Sequence, residues 1–154
     1  MLYLASDHAG FELKEKIKKY LTEELSQEVN DFGNFVYDEN DDYPDWILPA
    51  VKAVARDLES GIDSKAIILG GSGQGEAMVA NRVSGIRATV LYDYNENIVK
   101  LSKEHNNANV LSFGTRFISE EDAKKAVKLW LETPFSGEER HKRRISKIES
   151  RITK

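Results

Sequence analysis

Short apolar runs alternate with amphipathic helical stretches along almost the whole chain, and this alternation restricts the fold more than any other feature. Runs at residues 2–5, 29–32, 66–69, 86–91 and 110–113 read as strands, the second more weakly than the others. Between the first two, residues 11–25 place Leu13, Ile17, Tyr20 and Leu21 at helical spacing. Pro44 can open the next helix, whose Ile47, Leu48, Val51, Val54, Ala55 and Leu58 form one stripe before Gly61. Further helices are expected after the glycine-rich segment 70–75 as far as about Val83, and over residues 95–104. Ser119 caps another that runs to about Leu131, with Glu121 and Asp122 suited to its positive end. Strands that alternate with helices pair in parallel and need cover on both faces. The expected fold is therefore α/β, a three-layer α/β/α sandwich around a five-stranded parallel sheet.

No repeat, low-complexity stretch or linker divides the chain, so residues 1–154 are expected to form one domain, ending in a basic helix at about residues 137–150. The chain has no cysteine, which excludes disulfides, thiolate metal sites and thiol catalysis together. Its three histidines are too few for a zinc cage without carboxylate help, and no metal or cofactor is expected. The start, MLYLASDHAG, lacks the basic end and apolar core of a signal peptide, and no apolar run approaches the ~20 residues that cross a membrane. A soluble, cytoplasmic protein is the expectation. The tail, residues 137–154, holds seven Lys/Arg and three Glu, or +4, which leaves −8 for the rest of a chain of net charge −4. Basic tails often bind nucleic acid. Here the acidic body and the lack of aromatics in the tail argue against that partner, and a compact anion such as a phosphate monoester fits better.

In open parallel sheets, ligands sit beyond the carboxyl ends of the strands. Three suggestive loops lie there: residues 6–10, 70–76 and 114–116. The middle one holds Gly70, Gly71, Gly73 and Gly75 within six positions. Such a loop is either a tight strand-to-helix turn or a set of backbone N–H groups converging on an anion. Neither familiar nucleotide motif fits, because the glycines are spaced by twos rather than G-x-G-x-x-G, and Gly75 is followed by Glu76 where a P-loop has lysine. A carboxylate there would repel a triphosphate. The same donors suit an oxyanion that forms during a reaction, with Glu76 moving the proton.

Six segments occur in order: Ser6-Asp7-His8-Ala9-Gly10, Gly71-Ser72-Gly73-Gln74-Gly75, Ala80-Asn81-Arg82, Gly85-Ile86-Arg87-Ala88, Glu104-His105-Asn106-Asn107 with Asn109-Val110-Leu111, and Arg140-His141 with Arg144. Together they resemble the sugar-phosphate isomerase family that includes type B ribose-5-phosphate isomerase and the galactose-6-phosphate isomerase subunits. The match runs from residue 1 to about residue 150. The resemblance implies a Rossmann-like sandwich, a homodimer or dimer of dimers with active sites at the subunit interface, and metal-independent interconversion of aldose and ketose phosphates. Many members carry a cysteine base immediately before the glycine loop, where this chain has Gly70. Residues 70–76 instead resemble a subset that uses the glutamate, with Gln74 in place of asparagine, so the base transfers to Glu76 by similarity.

Also by similarity, Asp7 and His105 open the sugar ring, and an imidazole with a pKa near 6.5 suits proton donation to the ring oxygen. Glu76 then takes the C2 proton to give a cis-enediolate and returns it to C1. Backbone N–H groups of Gly71, Gly73, Gln74 and Gly75 stabilise the oxyanion, Ser72 relays a proton between the sugar oxygens, and Asn106 holds a hydroxyl. Arg140 and Arg144, four apart on one helix face, suit a phosphate, and similarity adds His8 and Arg116. A first-turn glutamate is favoured as an anion by the helix dipole, so a useful base at Glu76 requires desolvation to win.

Other features read as structural. His141, between Arg140 and Lys142, reads as a surface residue, and Trp46 and Trp130 as core or interface. The run Asp38-Glu39-Asn40-Asp41-Asp42 hints at an EF-hand but has Tyr43 at the glycine position and Pro49 at the closing glutamate, so it reads as a solvated acidic loop. Tyr43 either leans over the substrate or packs. Arg143, Lys147, Arg151 and Lys154 read as a solubilising face. Three other functions compete with ribose 5-phosphate isomerisation: the same chemistry on a six-carbon sugar phosphate such as allose or galactose 6-phosphate, a non-catalytic sugar-phosphate or nucleotide binder, and, more distantly, nucleic-acid binding through the tail, which would weaken steeply with salt.

Overall fold

Side chains alternate between the two faces of a strand, and each face must find a helix to cover it. The computed structural model, which describes residues 1–152 and the side chains of residues 1–150, satisfies both faces of one sheet. The strands are β1 (Leu2–Ser6), β2 (Val29–Asp31), β3 (Lys65–Gly70), β4 (Ala88–Leu91) and β5 (Val110–Gly114). The helices are α1 (Phe11–Lys19), α2 (Tyr43–Glu59), α3 (Gln74–Ala80), α4 (Glu96–Glu104), α5 (Glu120–Glu132) and α6 (Glu139–Ile152). All strand pairs are parallel, in the order β2-β1-β3-β5-β4. Leu2, Leu4, Ile67, Leu69, Leu111 and Phe113 face α1, α4 and α5, with Trp130 at the centre of that layer. Tyr3, Ala5, Ala66, Ile68 and Val110 face the other way, onto Ile47, Val51 and Val54 of α2 and Ala80 of α3. The expected three-layer α/β/α sandwich with a five-stranded parallel sheet is the observed fold.

Element ends differ from the expectation in three places. The first helix changes at Tyr20 into one wide turn, Tyr20–Glu24, in which the Leu25 N–H bonds the Tyr20 carbonyl five residues back. α3 stops at Ala80, and β4 begins only at Ala88. The intervening turn is tied down instead, with Ile86 in the core and the Arg87 N–H donating to Asn109 Oδ1 at 2.8 Å. Among the described residues no helix is long and apolar enough to cross a membrane. Of the basic tail residues named above, Lys154 and the side chain of Arg151 lie outside the described residues.

The strand order positions the site. From β1 the chain passes to β2 on one side, while β3 pairs with β1 on the other, so the loops after β1 and β3 diverge and open a crevice between them. Gly70 of β3 pairs with Gly114 of β5, which brings the third loop to the same rim.

Candidate active site

Asp7 leaves the end of β1 and Glu76 sits in the first turn of α3, and both are almost fully buried, at 7% and 4% exposure. Asp7 Oδ1 accepts from the Gly10 N–H at 3.0 Å, which closes the turn that starts α1. Burial pushes the Glu76 carboxyl above the usual carboxylate range; its own backbone N–H opposes this and the charge of Asp7 adds to it. Asp7 is likewise raised by burial, against the Gly10 N–H and the His8 charge. Desolvation thus outweighs the helix-terminus effect at Glu76, the condition a carboxylate base requires.

The space for that carboxyl comes from residue 70. A Cβ at Gly70 would lie 1.9 Å from Glu76 Oε1 and 2.1 Å from its carboxyl carbon. Lacking a side chain, Gly70 lets the carboxyl fold back against the end of β3. Gly73 has a different reason: its φ is +72°, and any Cβ there would lie 2.8 Å from the Phe113 carbonyl. Its carbonyl accepts from Ser112 Oγ at 2.7 Å, so the loop is clamped to β5. Arg116 N–H donates to the Gly71 carbonyl at 3.2 Å, and its guanidinium lies against Gly71. Ser72 Oγ accepts from the Gln74 N–H, and Gln74 Nε2 donates to the Tyr92 hydroxyl at 2.6 Å. The Tyr43 ring packs over Gly75 while remaining partly exposed.

His8 completes this rim. Its Nδ1 lies 2.7 Å from Asp41 Oδ1, and its ring meets Tyr37 edge-on at 6.2 Å. His8 and Arg116 share the wall of an open cavity of about 960 Å³, with Phe11, Lys16 and Tyr37 on its other sides. Asp7, His8 and Asp41 bring potential metal-ligand atoms within 4.8 Å of one another, but the Nδ1 of His8 faces Asp41 and Asp7 is engaged by Gly10.

The remaining expected site residues lie elsewhere. His105 follows the last residue of α4 and Asn106 follows it, before β5 begins, which puts both at the amino ends of the strands. A five-residue strand separates that end from the glycine loop by roughly 16 Å. The turn is held by Arg87, whose Nε donates to the carbonyls of Asn106 and Asn107, and by the buried Lys103, whose Nζ donates to the Ala108 carbonyl at 3.0 Å. Arg140 and Arg144 are exposed on α6, whose start is tied to this pole by the Ser136 N–H on the Glu104 carbonyl. Arg140 Nε pairs with Glu138 at 2.8 Å. Within one chain the structure unites Asp7, His8, Ser72, Glu76, the glycine loop and Arg116, and leaves His105, Asn106, Arg140 and Arg144 at the opposite pole.

Two readings need correction. His141 is not a surface residue: it is 2% exposed and stacks on His105, with ring centroids 4.2 Å apart and planes 17° from parallel. Burial and the neighbouring His105 lower its pKa. Asp41 is not solvated like its acidic neighbours; its side chain is 6% exposed and bonded to His8. Neither could be found from spacing, because each is buried by side-chain contacts outside any regular element's repeat.

The chain matches the family model described as Ribose/Galactose Isomerase over residues 2–148. A ribose-5-phosphate isomerase B of Mycolicibacterium paratuberculosis is 40% identical over 144 residues, which cover 94% of this chain and 86% of that one. The crystal structure of a ribose 5-phosphate isomerase from Thermotoga maritima shares 42% identity and superposes with a TM-score of 0.86, covering 97% of each chain. Ribose-5-phosphate isomerase B from Mycoplasma genitalium, solved with bound ribulose-5-phosphate, gives a TM-score of 0.90 at 35% identity, covering 99% of this chain and 96% of that one. By sequence and by fold, this chain belongs to the ribose/galactose isomerase family.

Proposed function

We propose that this chain is an aldose-ketose isomerase that interconverts ribose 5-phosphate and ribulose 5-phosphate, with Glu76 as its base. The observation that carries the reading is the buried Glu76 carboxyl folded against Gly70, its pKa raised, at the head of a glycine loop beside Asp7. Relatives named ribose-5-phosphate isomerase B, one of them solved with ribulose-5-phosphate, supply the substrate class.

The reaction needs three things in turn. His105 gives a proton to the ring oxygen while Asp7 takes the proton of the C1 hydroxyl, so that the bond from C1 to the ring oxygen breaks and the sugar opens to the aldehyde. Glu76 takes the proton from C2; the electron pair moves into the C1–C2 bond and the carbonyl oxygen becomes an oxyanion, leaving a cis-enediolate. Backbone N–H groups of Gly71, Gly73, Gln74 and Gly75 receive that charge, each such donor being worth about 3–4 kcal/mol in related sites. Ser72 passes a proton between O2 and O1, and Glu76 returns its proton to C1 to give the ketose. His8, Arg116, Arg140 and Arg144 hold the phosphate, and Asn106 holds a sugar hydroxyl.

Since the two sets of residues lie at opposite poles of one chain, a complete site takes both from different copies. We therefore read the working unit as a homodimer with sites at its interface. The exposed Met78 and Phe117, at 66% and 64%, and the place of β4 at the edge of the sheet support such a contact on the side of the glycine loop. The test is ketose formation from ribose 5-phosphate with EDTA present, beside allose and galactose 6-phosphates. Turnover of the pentose supports the reading; a folded dimer that turns over only the six-carbon phosphates reassigns the substrate.

A further inference from the structure

Four nitrogen atoms converge on Asp41. Its Oδ1 accepts from the backbone N–H of His8 at 3.1 Å and faces His8 Nδ1 at 2.7 Å; its Oδ2 accepts from Asn34 Nδ2 at 3.0 Å and Trp46 Nε1 at 2.9 Å. Three of the four, the His8 backbone N–H, Asn34 Nδ2 and Trp46 Nε1, can only donate, and a carboxylate that takes these suits a proton on the facing Nδ1 as the fourth. Asn34 is itself buried, donates to the Val36 carbonyl and meets Ser6 Oγ with its Oδ1. The carboxylate thus ties the loop after β2 to the end of β1 and to the start of α2. With Nδ1 committed, Nε2 is the ring nitrogen left for the cavity that His8 shares with Arg116.

We propose that Asp41 is a positioning residue for phosphate recognition, holding the His8 ring with Nδ1–H on its own carboxylate and Nε2 turned to the phosphate beside Arg116. This rests on the reading of His8 as a phosphate ligand. Orientation matters because a neutral ring with its proton on Nδ1 turns a lone pair to the phosphate, whereas the imidazolium turns an N–H to it. The Asp41 hydrogen bond raises the His8 pKa; burial opposes it, the charges of Asp7 and Asp41 add to it, and Arg116 lowers it. Glu12, Glu15 and Lys16 of α1 and Tyr37 and Glu39 of the loop face the same cavity. His8 folded is thus more basic than His8 free, and its cationic form is kept to higher pH than an isolated imidazole allows. Phosphate affinity is lost as pH rises through the raised value.

The chain has three histidines, so long-range proton–nitrogen NMR spectra of the imidazoles can be assigned by single substitutions. In the wild type, the neutral His8 ring is expected to carry its proton on Nδ1, and inorganic phosphate is expected to shift its resonances. In Asp41→Asn, His8 is expected to titrate at lower pH, and the KM for ribose 5-phosphate at pH 8 to rise about tenfold with kcat changed less than about twofold. Trp46→Phe, which removes a donor from Oδ2 alone, keeps the wild-type titration and so separates ring orientation from loop loosening. A wild-type neutral ring protonated on Nε2, or a titration unmoved in Asp41→Asn, overturns the proposal; if that variant does not fold, the wild-type tautomer decides. A wild type that binds phosphate at His8 but does not isomerise ribose 5-phosphate sinks the isomerase reading and leaves this one standing.

Discussion

The two poles of the sheet hold the expected site residues in contrasting ways. At the carboxyl end, Asp7 and Glu76 are buried, the glycine loop is clamped to β5, and Asp7 is engaged by the Gly10 N–H. At the amino end, Asn106, Arg140 and Arg144 stand in solvent on a turn and a helix, and His105 is braced by the buried His141. The difference teaches that Glu76, the proposed base for the C2 proton, is set within the fold, where desolvation can shift a carboxyl. Arg140 and Arg144, two of the four proposed phosphate residues, are held on the surface, where a guanidinium keeps its hydration until an anion arrives.

The largest effect should come from the buried half. Glu76→Gln is expected to lower kcat by ~10²-fold or more, measured as ketose formation, and unchanged turnover would show that another group is the base. With Glu76 as the base, the acid limb of the wild-type kcat/KM profile should lie above the ordinary carboxylate range, in the direction in which burial moves its pKa.

Complementation tests directly whether the poles work together across a dimer. Glu76→Gln and His105→Gln chains are each expected to be nearly inactive alone. Co-expressed, they form mixed dimers in which one site carries both changes and the other carries neither, so about a quarter of wild-type activity returns if pairing is random. Sites built within single chains would show no recovery.

A smaller change is expected at the exposed half. Arg144→Ala should raise KM about tenfold and leave kcat much closer to wild type, since the contact it removes in the proposed site is to the phosphate, which does not react. A loss confined to kcat would instead place Arg144 in the chemistry.

Stability should respond least and in the opposite sense. A carboxyl whose native pKa is raised binds more protons folded than unfolded, so stability falls as pH rises from the ordinary value, near 4.5 for Glu76, through the native one. Glu76→Gln removes that loss and should raise Tm by a few degrees at pH 8, with the gain vanishing toward pH 4. A matching gain from Arg144→Ala would erase the contrast between the poles.

Much of this was legible in the chain itself. The strands and the faces of α2 and α5 follow from apolar spacing, because burial on a regular element repeats at a fixed interval. The glycine loop is legible from composition, and Glu76 as the proposed base from its place in the resemblance. Strand order was not, since nothing local says that β5 lies between β3 and β4. Asp41 and His141 also escaped notice: an aspartate in an acidic run and a histidine between cations look solvated until Trp46 and Asn34 close over the one and His105 stacks on the other. Their roles are made by tertiary contact alone.

The empty place at residue 70 has a chemical consequence beyond geometry. A thiolate base at that position would be open to peroxide and alkylating agents, and each step past sulfenic acid is hard to reverse. The proposed carboxylate base fills the same space and has no oxidation state to lose, in a chain without a single cysteine. Any side chain returned to residue 70 must push that carboxyl out, so the oxidisable and the inert base are alternatives for one seat. A chain that has taken the second keeps its proton chemistry under oxidising conditions and forgoes any redox switch at its centre.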